Sequence, residues 1–291
     1  MDLVACVPRQ PLRGETLTGT AFATYLGGKG LNQTVAAKRM GANVALVGRV
    51  GTDDFGQRIK EALQAEAIDA AYLQADQQPT GTALIMVEEG GHNSIVVIPG
   101  ANGALTPADI DQAAELISAA NVLLLQLEVP LATTLRAAQI AHAAGTTVIL
   151  TPAPAQLLPP ALLAATDVLV PNEIEVAQVS ATNAEPAAAA RALLDQGCRA
   201  VVVTLGAQGA LLVTPGGEQS IPPLPVTAVD TVGAGDAFVG ALAACIAEGH
   251  ELTTALHYAA AAGALATTQA GAVPSLPTRA AVERCLQERR Q

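Results

Sequence analysis

The sequence predicts a doubly wound α/β domain, in which a mainly parallel sheet is covered on both faces by helices. Three observations predict it. From about residue 42 onward, short apolar runs alternate with helical periods. Several of these runs are apolar throughout, the mark of strands buried on both faces. Finally, 51% of the 291 residues are apolar but only 2% are aromatic, so Ala, Val, Leu and Ile must build the core in thin layers. The expected organisation is a single domain over residues 1–291.

Residues 3–26, with a turn at 11–15, stand outside that rhythm. A small-residue turn at 27–30 leads into a helix predicted at 31–40, followed by a strand at 44–50 and a helix at 55–65. Residues 80–99 break the rhythm again as a hairpin, with arms at 82–87 and 94–98 and a polar turn at 88–93. Together 3–26 and 80–99 are expected to form a small β-sheet lid whose apolar face calls for a partner copy. The alternation then resumes with a helix at 108–118, a strand at 122–127, a helix at 131–144 and a strand at 147–150. Pro152, Pro154, Pro159 and Pro160 stiffen the loop after that strand, where α/β sites lie. A strand at 168–170, a helix at 186–195 and a strand at 201–205 follow, and helices at 235–247, 252–267 and 279–289 close the chain.

Composition excludes several classes of function. A net charge of −11 disfavours nucleic-acid backbones and anionic membranes as partners. Cys6, Cys198, Cys245 and Cys285 lack metal-ligand spacing and read as reduced thiols rather than as a disulfide framework. No run approaches the roughly 18–20 apolar residues of a membrane span, and the first residues do not read as a leader, so the expected location is the cytoplasm.

The richest stretch for chemistry is Asp230-Thr231-Val232-Gly233-Ala234-Gly235-Asp236-Ala237-Phe238. A small-residue turn opening a helix aims free backbone N–H groups and a positive dipole end at one point, which suits a phosphate. An acid beside such a cradle is paradoxical unless it handles a proton. The combination points to phosphoryl transfer, with Asp236 taking the proton of an attacking hydroxyl. Taken alone, an Asp at a helix start is also a capping residue. A second glycine motif, Gly27-Gly28-Lys29-Gly30-Leu31-Asn32, opens the helix at 31–40. It is not a Walker A loop, so Lys29 need not touch a nucleotide, and its amides suit the hydroxyls of a small polar substrate.

Two such motifs about 200 residues apart resemble the paired signatures of the PfkB family of carbohydrate kinases. The first runs from Gly27 through Asn32 and Thr34 to Gly41 and Gly51, the second from Asp230 through Asp236 to Leu242. The intervening Gln126-Leu127-Glu128, Pro152-Ala153-Pro154-Ala155, Pro171-Asn172-Glu173-Ile174-Glu175 and Thr204-Leu205-Gly206-Ala207-Gln208-Gly209 resemble the family's ribokinase branch in order and spacing.

The resemblance implies a ribokinase-like, Rossmann-like fold and ATP-dependent phosphorylation of D-ribose at its 5-hydroxyl, giving ribose 5-phosphate and ADP. It makes Asp236 the catalytic base and Gly233, Ala234 and Gly235 the anion hole. It assigns Asp2, Gly28, Lys29, Asn32 and Glu128 to the sugar. Asn172 and Thr204, Leu205, Gly206, Ala207, Gln208 and Gly209 fall to ATP, and Glu175 to outer-shell Mg²⁺. A K⁺ site is implied at Asp230, Val232, Ala266, Gln269, Gly271 and Ser275, and a homodimer through the lid. Read without the family, Asn172 with its two following Glu residues is a helix cap, Glu128 a cap of the helix after Pro130, and 204–209 a plain turn.

The chain departs from the family at its start. Met1-Asp2 takes the end of a pattern that normally opens with an apolar strand and an Asn, so a first core strand is expected to be missing. Its neighbours would then hold unpaired backbone groups, at about 1–3 kcal/mol for each buried one. Two rival readings accompany the ribose one. Another PfkB kinase, for deoxyribose, fructose or a nucleoside, is the nearer; the lid offers little but Tyr25 to stack a base, which favours a sugar. A sugar-binding protein without catalysis is the other.

Overall fold

Along the strand Ala200–Thr204, Val201 and Val203 pack into the core on one face of a sheet, while Ala200 and Val202 pack into the core on the other. The period-2 alternation of a strand makes this possible only where both faces are covered. The computed structural model describes residues 1–90 and 92–289; Gly91, in the predicted hairpin turn, lies outside the described residues.

The strands are β1 (Asp2–Val7), β2 (Ala21–Tyr25), β3 (Gly48–Gly51), β4 (Leu73–Asp76), β5 (Thr82–Glu88), β6 (Asn93–Ile98), β7 (Val122–Leu125), β8 (Thr147–Leu150), β9 (Val168–Leu169), β10 (Ala200–Thr204), β11 (Ala210–Thr214) and β12 (Gly217–Ile221). The helices are α1 (Lys29–Arg39), α2 (Asp54–Ala65), α3 (Pro107–Gln112), α4 (Ala114–Ala119), α5 (Leu131–Ala144), α6 (Pro160–Ala164), α7 (Glu173–Ser180), α8 (Pro186–Leu194), α9 (Ala234–Ala247), α10 (Leu252–Ala266), α11 (Ala272–Ser275) and α12 (Arg279–Glu288). The main sheet has six strands in the order β12-β11-β10-β9-β8-β7. β7 to β10 run parallel, and β11 and β12 add an antiparallel edge. One face packs on α5 and α8, the other on α9 and α10.

The chain differs from its sequence pattern in identifiable places. β11 and β12 are absent from the predicted elements: Gly217 to Ser220 of β12 are polar and exposed on an edge and carry no apolar signal, whereas β11 is apolar and is shown to be a strand by its antiparallel pairing with β10. The strand predicted at 44–50 is regular only from Gly48; before it, Ala45 makes a single bridge to Asp69. The helix predicted at 108–118 is two helices meeting at Ala113. Among the described residues β3 pairs only with β4 and β7 only with β8, and a cavity of about 1300 Å³ reaches between Val44–Val47 on one side and Val122–Leu125 on the other.

A separate four-stranded sheet, ordered β2-β1-β5-β6, stands over that cavity. Register puts Asp2, Tyr25, Ala83 and Val97 on one row of the face that lines it. Beneath it, α1 crosses α9 at Gly240. A Cβ there would overlap the Ala36 methyl and lie 2.9 Å from both Ala37 N and Gln33 O. Small residues at this crossing, rather than aromatic filling, hold the two signature helices together. All four cysteines are free; Cys198 and Cys245 are buried, and Cys6 and Cys285 half-buried. Among the described residues no helix is long and apolar enough to cross a membrane.

Candidate active site

The phosphate side begins at the N-terminus of α9. Gly233 adopts φ 79° and ψ −5°, a left-handed conformation, and a Cβ there would sit 3.1 Å from Ala272 Cα. Glycine meets both demands. Among the described residues no side chain caps this helix. Ala234 N donates to Thr231 O at 3.2 Å, so of the three anion-hole residues read from sequence this amide is already engaged. The N–H groups of Gly235 and Asp236 have no acceptor among the described residues, and Gly233, Gly235 and Asp236 line a cavity of about 240 Å³. Ala234 does not line it. Free amides at a positive dipole end make that cavity an anion site.

The same cavity gathers Lys29, Thr151, Asn172, Glu175 and Thr204. Asn172 and Glu175 form a reciprocal capping box on α7. Asn172 Oδ1 accepts from Ile174 N at 2.9 Å and Glu175 N at 2.8 Å, and Glu175 Oε2 accepts from Asn172 N at 2.9 Å. The capping role read from their spacing is therefore real, and it aims both residues at the cavity. Burial raises the Glu175 carboxyl above the usual carboxylate range. Thr204, bridged to Asn172, lines the cavity. Leu205, Gly206, Ala207, Gln208 and Gly209 lie beyond it, in a turn where Leu205 N donates to Gly209 O at 2.8 Å. Thr151, at the end of β8, was not singled out from sequence; its hydroxyl is buried without a partner.

Asp236 is only 8% exposed. Asn32 Nδ2 donates to its Oδ2 at 2.8 Å and Gln33 Nε2 to its Oδ1 at 3.0 Å. Gln126 Nε2 donates in turn to Gln33 Oε1 at 2.6 Å. Gln33 escaped the sequence reading, and Gln126 entered it only as part of the family-like stretch 126–128. For Gln33 the available signal was a second amide next to Asn32 in a helix whose following buried residues are mostly Val and Ala.

The polar end of the large cavity carries the remaining residues. Lys29 N donates to Glu128 Oε2 at 2.9 Å, so the residue read as a sugar ligand also caps the entry to α1. Gly28 has φ 100°, and at Gly27 a Cβ would overlap the Asp2 carboxylate. Asp2, Gly28, Lys29, Asn32, Glu128 and Asp236 all line this cavity. Burial raises the carboxyls of Asp2 and Glu128, with the Asp236 charge adding to both. Asn32 Oδ1 is buried without a partner, an acceptor awaiting a hydroxyl.

Asp230 organises the loop behind the anion site. Its Oδ1 accepts from Val232 N at 3.0 Å and its Oδ2 from Gly271 N at 2.8 Å. Ala266 ends α10, Gln269 is exposed in the following turn, and Ser275 is buried with its hydroxyl donating to Ala272 O at 2.8 Å. Among the described residues no cationic side chain pairs with Asp230.

Lys29, Thr231, Gly233 and Asp236 line both cavities. A carboxylate thus stands where a space for a polar molecule meets a cradle for an anion. A hydroxyl in the first can lose its proton to Asp236 while attacking a phosphorus held in the second.

Comparison with known proteins places the chain in a family and matches its fold. The profile of the pfkB family of carbohydrate kinases matches residues 1–279. A ribokinase of Haemophilus influenzae is 39% identical over 283 residues, covering 96% of this chain and 92% of its own length. The crystal structure of a ribokinase from Thermotoga maritima superposes with a TM-score of 0.92 at 35% identity, over 98% of this chain and 96% of that one. An Arabidopsis thaliana ribokinase complexed with ribose and ATP does so with a TM-score of 0.92 at 33% identity, over 98% and 95%.

Proposed function

The chain belongs to the pfkB family of carbohydrate kinases, and on that premise we propose that it transfers the γ-phosphoryl group of ATP to the 5-hydroxyl of D-ribose. The products are ribose 5-phosphate and ADP. The observation that carries this reading is Asp236 at the junction of the two cavities, beside free helix-start amides. The ribokinases of similar sequence and the ribose- and ATP-bound relative support ribose over other sugars.

Ribose lies in the large cavity against Asp2, Gly28, Lys29, Asn32 and Glu128, and Asn32 Oδ1 gains the donor it lacks. The four-stranded sheet is the lid that excludes water over it. ATP runs along Thr204 to Gly209 with its terminal phosphates in the smaller cavity. Asp236 accepts the proton of the primary hydroxyl as that oxygen attacks phosphorus. The amides of Gly235 and Asp236 stabilise the charge spreading over the equatorial oxygens. Mg²⁺ carried in on the phosphates would neutralise charge there. Glu175, whose Oε1 has no hydrogen-bond partner among the described residues, suits an outer-shell role, with Asn172 beside it. The Asp230 loop, with Val232, Ala266, Gln269, Gly271 and Ser275, is the candidate monovalent-cation site, because among the described residues the Asp230 carboxylate has no cationic side-chain partner. ATP as co-substrate fits a cytoplasmic location.

The test is ADP release from Mg·ATP with ribose, 2-deoxyribose, fructose or adenosine, each in K⁺ and in Na⁺. The expected result is fastest turnover on ribose and a higher rate in K⁺. Absence of ribose-dependent ADP release overturns the reading, and equal rates in the two salts remove the K⁺ site.

A homodimer through the lid completes the proposal. β6 is an edge strand, and on the face of this sheet turned away from the cavity Val96, Leu84 and Phe22 are exposed, an apolar surface that a second copy would cover. Sedimentation should give a dimer for the wild type and a monomer for Val96→Lys. A monomeric wild type rejects the assembly.

A further inference from the structure

We infer that Gln33 and Gln126 are positioning residues that fix the aim of the Asp236 carboxylate, with Gln126 selecting which end of the Gln33 amide faces it. The inference rests on the proposed kinase reading and adds residues to it. A general base needs one lone pair directed at the hydroxyl it deprotonates, so rotation of its carboxylate is costly to rate. In this chain each oxygen of Asp236 receives one amide donor, Asn32 on Oδ2 and Gln33 on Oδ1. Two donors on two oxygens define the plane of the carboxylate.

The Gln33 amide has two nearly isosteric ends, and only one of them can donate to a carboxylate. Turned over, it would set its carbonyl oxygen against Asp236. Gln126 prevents this by donating from Nε2 to Gln33 Oε1 at 2.6 Å. Gln33 is 1% exposed, so its amide is held chiefly by these protein partners. The relay starts on the segment after β7 that also carries Glu128, whose carboxylate accepts from Lys29 N. One short segment therefore orients the base through Gln126 and lines the sugar cavity through Glu128.

The test exploits the asymmetry of the amide. Gln126→Glu keeps size and polarity but replaces the donor with an acceptor. It favours the inverted Gln33 amide, whose NH₂ would face the introduced carboxylate and whose oxygen would face Asp236. Gln126→Leu merely releases Gln33 to choose. Ribose-dependent kcat should fall by about 10²-fold in Gln126→Glu, the scale of a misplaced reacting group, and by about tenfold or less in Gln126→Leu. KM for ribose should change much less than kcat in both. Gln33→Met, which removes the donor without adding charge, should follow Gln126→Leu in direction.

A packing role predicts the opposite rank, because glutamate is the closer replacement. The inference is overturned if Gln126→Glu keeps wild-type kcat, if Gln126→Leu is the more damaged, or if the losses follow melting temperature rather than the rank stated. Failure of the kinase reading is separately visible: the wild type would then release no ADP with any of the sugars, and this inference would fall with it.

Discussion

Asp236→Asn is expected to lower ribose-dependent turnover by about 10²–10⁴-fold, the usual contribution of a positioned general base. Asparagine keeps the size of the side chain and its place at the start of α9, but it cannot take the proton of the attacking hydroxyl. Binding should survive. The phosphate cradle is made of backbone N–H groups that the change leaves in place, and the ribose-lining residues sit on α1, β1 and the segment after β7. Calorimetric titration with ADP and with ribose should therefore stay within a few-fold of the wild type while ADP release collapses. A variant that keeps its turnover would show that the proton goes elsewhere. A variant that loses ADP binding as well would show that Asp236 holds the helix start together rather than serving the chemistry. A sugar-binding protein without catalysis predicts neither loss, so the same pair of measurements separates that reading from a kinase.

Gly240→Val is expected to damage stability and catalysis together. The site exists because α1 brings Asn32 and Gln33 within hydrogen-bond distance of Asp236 on α9, and the two helices approach that closely only where Gly240 meets Ala36 and Ala37. Even one methyl group would meet Ala37 N and Gln33 O at 2.9 Å. These are backbone atoms with no rotamer to yield, so the helices must separate. Overpacking of this kind costs about 3 kcal/mol at its upper end. The gain in helix propensity over glycine, about half a kcal/mol, does not offset it. In a chain of this size each kcal/mol lowers the melting temperature by roughly 2–4 °C, so a fall of about 6–12 °C is expected. Turnover should fall even at temperatures where the variant stays folded, because separation of α1 from α9 lengthens both bonds to the base. Melting and turnover equal to those of the wild type would mean that the crossing adapts, and that the small residues there are not what positions the site.

The doubly wound class was legible because β7 to β10 are apolar along nearly their whole length, and only burial on both faces explains that. The polar edge strand β12 was not, since an exposed edge needs no apolar side chains and its pairing with β11 is a fact of neighbours. The capping box of Asn172 and Glu175 was visible as a spacing, yet the spacing alone could not say that this helix start faces the same cavity as Gly235.

The sequence by itself determined the parts of this protein whose chemistry is contiguous. A helix start with free amides, a left-handed glycine and an acid can be read from Gly233 to Asp236, because backbone geometry and dipole are local properties. Tertiary structure decided how those parts are joined. The approach of α1 to α9, the amide relay from Gln126 through Gln33 and the meeting of two cavities at Asp236 depend on residues 93 to 204 positions apart. Packing, which no local pattern encodes, sets those distances.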